Sequence, residues 1–221
     1  MTRARAAHWM RCSLVHSRRA VAALEFGLML PLFLGFVLTA IETANYVLAN
    51  NRTQRLAAMT ADLVAQSGVG AIGATEAQIY DLFSAIDLTA HPFDLRTHGR
   101  VVISSVKGTD INNDNIVENR FLWQRFDGNH VVAAPLLGCA TNNAIAALPV
   151  ARVLPLDEIM YHVQVTYDYQ PVFSRVPFQW LNLSTAFTRT AIFRARSSQF
   201  QTPSPDSRFP PKSNCTSPSG L

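Results

Sequence analysis

A chain of 221 residues, 48% hydrophobic and only 15% charged, is long enough for one membrane segment and one modest domain with its own core. Its formal net charge of +4 and pI near 9.3 would ordinarily point to a nucleic-acid partner. Five arginines (Arg3, Arg5, Arg11, Arg18, Arg19) fall in the first twenty residues, which contain no acid, and subtracting them takes the remainder to −1. The basicity is therefore a topology signal, and no nucleic-acid binding is expected.

From Ala20 to Ile41 the only charged residue is Glu25. At 1.5 Å rise per residue this stretch just crosses a hydrocarbon core of about 30 Å. The basic leader keeps the N-terminus on the cytoplasmic side, so the rest of the chain is expected in the periplasm, anchored once in a bacterial-type inner membrane. A conventional signal peptide has a shorter apolar region, about 7–15 residues. Val47-Leu48-Ala49 would suit a conventional cut, but the longer run favours retention. After Ile41 the composition turns polar without Gly or Pro, which predicts one helix from Val21 to Gln66, about 70 Å long. Its outer half carries Arg52, Leu56, Met59 and Leu63 at helical spacing as the expected packing stripe. Glu42 and Asn45 read as solvated.

Glu25 has two physical readings. A carboxylate inside a bilayer costs roughly 2.5–3.5 kcal/mol and usually has a partner. Alternatively, in the first helical turn, it faces the positive end of the helix dipole near Arg18 and Arg19, worth about 0.3–1 kcal/mol. The whole stretch Arg18-Arg19-Ala20-Val21-Ala22-Ala23-Leu24-Glu25-Phe26-Gly27-Leu28-Met29-Leu30-Pro31 resembles the start of the TadE-like pseudopilins of tight-adherence (Flp-type) pilus systems. The resemblance implies cleavage by a prepilin peptidase between Ala20 and Val21, leaving Glu25 at mature position five. It also implies assembly roles for Glu25, Phe26 and Pro31, with the amine of Val21 from a neighbouring subunit as the partner of Glu25. The family's usual residue before the cut is glycine, where this chain has Ala20.

Further along, Ser67-Gly68-Val69-Gly70-Ala71-Ile72-Gly73 breaks the long helix. Thr75 and Gln78 form a capping box, opening a short helix that buries Ile79, Leu82, Phe83 and Ile86 and ends at His91-Pro92. Strands follow over Arg100–Lys107, Ile116–Phe126, Tyr161–Gln170 and Leu183–Arg194. In the second, Phe121 and Trp123 share one face. In the third, Tyr161, Val163, Val165, Tyr167 and Tyr169 alternate strictly with His162, Gln164, Thr166, Asp168 and Gln170, which predicts a sheet with one wet face and a solvated His162. No long helical crossover separates the strands, so the sheet is expected to be antiparallel. Residues 128–158 have no decisive pattern; Ala140–Leu148 fits a short helix or a loop. The fold class is α+β: a membrane and stalk helix followed by a head with a short helix and an antiparallel sheet.

The expected organisation is a leader (1–20), a transmembrane helix (21–41), a stalk (42–66), a head (67–196) and a Pro/Ser-rich tail (197–221) whose composition favours disorder. Cys139 and Cys215 would share the oxidising periplasm and are expected to pair, tethering that tail; Cys12 lies in the leader. The order of elements and the late Tyr167-x-Tyr169-x-Pro171 stretch also resemble the TadE-like pattern.

No catalytic motif is present, so no enzyme activity and no cofactor is expected. Asp110, Asn112, Asp114 and Glu118 match positions 1, 3, 5 and 9 of a calcium loop, but Asn115 replaces its glycine and Phe121 its final glutamate. Turn chemistry explains the same residues. The aromatic set Tyr161, Tyr167, Tyr169, Phe173, Phe178 and Trp180 reads as core, with any exposed part a candidate subunit contact. Two functions remain. One is a TadE-like pseudopilin helping to assemble or secrete a Flp-type pilus, with the prepilin peptidase, other pilins, the assembly platform and membrane lipid as partners. The alternative is a signal-anchored periplasmic binding domain on an uncleaved tether.

Overall fold

The computed structural model describes residues 18–66, 74–139, 144–196 and 202–221. The glycine-rich break, most of the leader and the residues Ala140–Asn143 lie outside them. The chain divides into two compact units, one ending at Tyr46 and the other running from Val47 to Leu221.

Helix α1 (Arg18–Gln66) contains Pro31 and includes the whole apolar stretch. It is the one helix among the described residues long and apolar enough to cross a membrane. Glu42 is buried, against expectation, and Asn45 is half-buried.

The head is an α+β domain. Helix α2 (Glu76–Ala90) opens with the expected capping box: Gln78 N donates to Thr75 Oγ1 at 3.3 Å and Thr75 N to Gln78 Oε1 at 3.0 Å. Ile79, Phe83 and Ile86 are buried, with Leu82 half-buried. A one-turn helix α3 (Leu95–His98) leads into strand β1 (Gly99–Thr109). Strands β2 (Glu118–Asp127), β3 (Ile159–Asp168) and β4 (Ala186–Arg194) complete an antiparallel sheet of order β2-β1-β3-β4, with a short helix α4 (Val176–Trp180) between the last two.

The register sorts the two faces. Val101, Ile103 and Ser105 lie level with Val165, Val163 and Tyr161 and, on the other side, with Asp127, Arg125 and Trp123. The outer part of α1 and helix α2 are tied to this face. Arg189 Nε donates to Asn50 Oδ1 at 2.8 Å, and Arg125 meets Glu76. The expected stalk stripe is displaced: Leu56 is buried, but Met59 and Leu63 are 37% and 43% exposed. The buried stripe is Ala49, Thr53, Leu56, Ala57, Thr60, Ala61 and Val64, because short side chains let a helix lie close against a sheet.

The opposite face is not wet. His162, Gln164 and Thr166 are all buried, since the segment after β2 folds back over them. Gln164 Nε2 donates to Ala134 O at 3.0 Å and its Oε1 accepts from Leu136 N at 2.7 Å. Gln124 Nε2 donates to Gly138 O and Ser104 Oγ, both at 2.9 Å. A bulge between Ser105 and Val106 sets Phe121 opposite Val106 and Trp123 opposite Ser105. The two aromatic residues therefore part to opposite faces. Phe121 joins Val106, Met160, Leu137, Ala146, Leu148 and Leu154 in a separate core cluster, while Trp123 packs 5.9 Å from Tyr161. Residues 144–146 run along the outer edge of β2, with Phe121 N bonded to Ala144 O and Ala146 N to Asn119 O, which blunts that edge.

The tail is integrated rather than disordered over its described part, 202–221. Cys139 and Cys215 form a disulfide, Cα to Cα 5.9 Å. Ser204 bridges Thr75, Tyr80 Oη donates to Pro210 O at 2.7 Å, and Lys212 pairs with Asp127 in a buried contact. Arg100, fully buried, donates to the carbonyls of Cys215, Ser217 and Gly128 and stacks over Phe126. Composition misleads here because a covalent tie and buried cations supply what the Pro/Ser-rich segment lacks in apolar area.

Candidate assembly interface

Between Val21 and Ile41 the apolar side chains are exposed almost without exception: Leu24, Phe26, Leu28, Met29, Leu32, Phe33 and Phe36 each leave more than half their surface open. A helix that is apolar all round belongs in lipid or among other apolar helices. Two hydroxyls within it are satisfied internally, Thr39 Oγ1 on Gly35 O and Thr43 Oγ1 on Thr39 O, both at 2.8 Å. Such back-bonding is how Ser and Thr sit in a helix without stranding a donor.

Ala20 and Val21 occupy the first turn of α1, and Glu25 lies one turn further along, exposed. First-turn N–H groups lack intrahelical partners, so this is the end of the helix that opens most readily. The i, i+4 spacing places Val21 and Glu25 on one face. Phe26 is exposed beside it, and Pro31 sits one further turn along. Lacking an N–H, Pro31 leaves the carbonyl of Gly27 without its helical donor.

One feature of this helix escaped the motif reading. Gly27, Pro31, Gly35, Thr39 and Thr43 recur every four residues, and among the described residues nothing beyond the adjoining helix backbone comes within 4 Å of a Cβ built on Gly27 or Gly35. This ridge of small residues permits close approach of a second helix in a membrane. Its four-residue spacing was visible in the sequence all along.

The remaining candidates do not form a site. Asp110 accepts from Asp114 N and Asn115 N, and Asp114 from Ile116 N, while Glu118 is held by Arg120. Asp110 and Asp114 therefore cap their own turn, and Asn112 at its tip is exposed. No cluster of three or more His, Cys, Asp or Glu residues among the described residues could hold a metal. His162, expected in solvent, is 1% exposed. Desolvation lowers its pKa to about 4, partly opposed by a bond to its own backbone; it is a neutral core residue.

No curated protein and no solved structure matches the chain. Residues 20–62 match the family model described as TadE-like protein, which points to a protein associated with the tight-adherence (Flp-type) pilus. The match covers the apolar helix and nearly all of the stalk and leaves the head unmatched. One apolar N-terminal helix and this family are together consistent with a single-pass membrane protein. Over residues 20–62, about a fifth of its length, the chain is similar to the TadE-like family.

Proposed function

We propose that the protein is a structural, non-enzymatic pseudopilin that helps assemble or secrete a Flp-type pilus. In this reading it sits in the inner membrane with its N-terminus cytoplasmic and its head periplasmic, where the Cys139–Cys215 disulfide is favoured. A prepilin peptidase cuts between Ala20 and Val21 after the first helical turn opens. The freed amine of Val21 on one subunit then neutralises Glu25 on the next, and the ridge through Gly27, Pro31 and Gly35 lets neighbouring helices approach. The observation that carries the reading is Glu25, one turn past Val21 and the one charged residue of the apolar, exposed stretch from Ala20 to Ile41, within the TadE-like match.

The test is the intact mass and N-terminal sequence of the membrane-extracted protein, with and without the prepilin peptidase. A chain beginning at Val21 only when the peptidase is present is the expected result. The same start, or an uncut chain, in both samples overturns the maturation step. Glu25→Ala is expected to abolish piliation with membrane insertion intact. Normal pili after that change would favour the second reading, a tethered periplasmic binding domain, which the alanine at position 20 already accommodates.

A further inference from the structure

The connection between β3 and β4, residues 169–185, holds an apolar surface outward on a built frame. Phe178 is buried, its ring 6.0 Å from that of Tyr169. Tyr169 N donates to Thr185 O at 2.9 Å, and Leu183 N to Phe178 O at 2.8 Å. Thr185 Oγ1 donates to Asp168 Oδ1 at 2.8 Å, while Arg175 Nη2 donates to Asp168 Oδ2 at 3.2 Å and to Gln170 Oε1 at 2.7 Å. With Phe178 turned inward, Val176 and Trp180, two residues to either side, fall on the outer side of helix α4. Trp180 is 86% exposed and Leu181 69%, with Val172, Phe173 and Leu183 about half or more exposed. A frame this well bonded, carrying this much open apolar surface, marks an interaction site.

The position of this element in the head identifies its partner. Strand β4 runs alongside the stalk: Arg189 bonds Asn50, and further on Arg196 meets Asp62 and Ala65. Strand and helix numbers rise together, so the residues just before β4 lie at the end of the head where the stalk numbers fall toward Val47. That is the end at which the chain arrives from its apolar segment. Ile41, the last residue of the apolar stretch, precedes Val47 by only six residues in sequence. Between Tyr169 and Thr185 the only charged residue is Arg175, half exposed and paired with Asp168, so the segment itself holds no anion to repel the phosphates of anionic lipid. Trp with flanking aliphatic residues is the composition of a membrane–water interface.

We propose that residues 172–183 dock on the bilayer surface with Trp180 at headgroup level, giving the head a membrane contact besides its helix. This contact fixes the orientation of the head to the bilayer and competes with its release from lipid. It needs only an embedded helix and does not depend on a role in a pilus.

The experiment uses the full chain with Trp9→Phe, so that only Trp123 and Trp180 emit. It is reconstituted in phosphatidylethanolamine–phosphatidylglycerol vesicles with or without brominated acyl chains. The emission of Trp180 is obtained by difference from the Trp9→Phe/Trp180→Phe protein. The expected result is a blue-shifted Trp180 component that loses about half its intensity or more in brominated lipid, while Trp123, buried in the core, is unchanged. A Trp180 component that emits as a water-exposed indole, without quenching, overturns the proposal. A blue-shifted, unquenched component that grows with the protein-to-lipid ratio also overturns it and identifies another copy of the chain as the occupant. A pure chain in pure lipid gives the same answer whatever its part in pilus assembly.

Discussion

The guanidinium of Arg100, on the first strand, donates to the carbonyl of Cys215 at 2.6 Å across 115 residues of sequence. Cys215 is in turn bonded to Cys139, so one buried cation and one covalent tie meet at the same tail residue. Burial pushes the Arg100 pKa down, and Asp127 opposes the shift. Three carbonyls stand in for the water that the guanidinium gives up.

Replacing Cys139 and Cys215 by Ser is expected to cost about 2–5 kcal/mol, since the bond closes a loop of 76 residues. Urea unfolding of the full chain in mild detergent measures this, and faster proteolysis within 202–221 should accompany it. Arg100→Ala is expected to cost about 3 kcal/mol, because three carbonyls lose their donor in a buried site, with partial recovery in Arg100→Lys. An unchanged urea midpoint in either case would show that the tail is dispensable for folding.

Glu76 and Arg125 are both buried, joined by bonds of 3.0 and 3.2 Å from Nε and a further close contact from Nη2. Breaking such a pair leaves a charge stranded, so Glu76→Leu and Arg125→Met should each cost about 3–5 kcal/mol. The double variant is expected to lose less than either single change. A double-mutant cycle in denaturant checks this, and simple additivity would contradict the pairing.

His162 binds no proton in the fold until about pH 4 but titrates near 6.5 when unfolded. The unfolded state then holds more protons between those values, so stability rises with pH across the window and falls as pH drops from 6.5 toward 4. The full loss is on the order of 3 kcal/mol. Asp168 acts in a lower window: desolvation raises its pKa, but hydrogen bonds from Thr185, Arg175 and Gln170 together with the charge of Arg175 outweigh it, and the net shift is down. Its stabilisation is present above its unfolded value and lost as pH falls through the lowered one. Denaturation midpoints from pH 7.5 to 4.5 should slope in the wild type and flatten in His162→Leu.

A Cβ at Gly35 meets nothing within 4 Å among the described residues beyond the adjoining helix backbone, so Gly35→Leu should leave helix content and membrane insertion unchanged. Association between helices is expected to weaken by about 1 kcal/mol, close to fivefold. Crosslinking in vesicles at several protein-to-lipid ratios checks it; equal dimer fractions would remove the small-residue ridge from the assembly interface.

Patterns that depend on neighbours in sequence were legible. The apolar run from Ala20 to Ile41, the Thr75–Gln78 capping box, the strand alternation from Tyr161 and the unbroken helix to Gln66 all follow from local periodicity and chain chemistry. The same local reading found Glu25 and the Arg-Arg leader, because a charge in an apolar stretch stands out without any fold.

What lies above a sheet face is a property of other parts of the chain, and local pattern is blind to it. His162, Gln164 and Thr166 alternate as a wet face should, yet all three are buried, and Gln164 takes its backbone partners from Ala134 and Leu136. One bulge at Ser105/Val106 sends Phe121 and Trp123 to opposite faces despite their even spacing. The tail reads as disordered because its composition lacks apolar area, and it is held by partners 85 to 130 residues away. Sequence determined the long apolar helix, the capped short helix and the strands, since these follow from near neighbours in the chain. Only the tertiary structure decided which polar residues are buried, because the segments packed over them, such as 134–138 at Gln164 and the tail at Arg100, lie far along the chain.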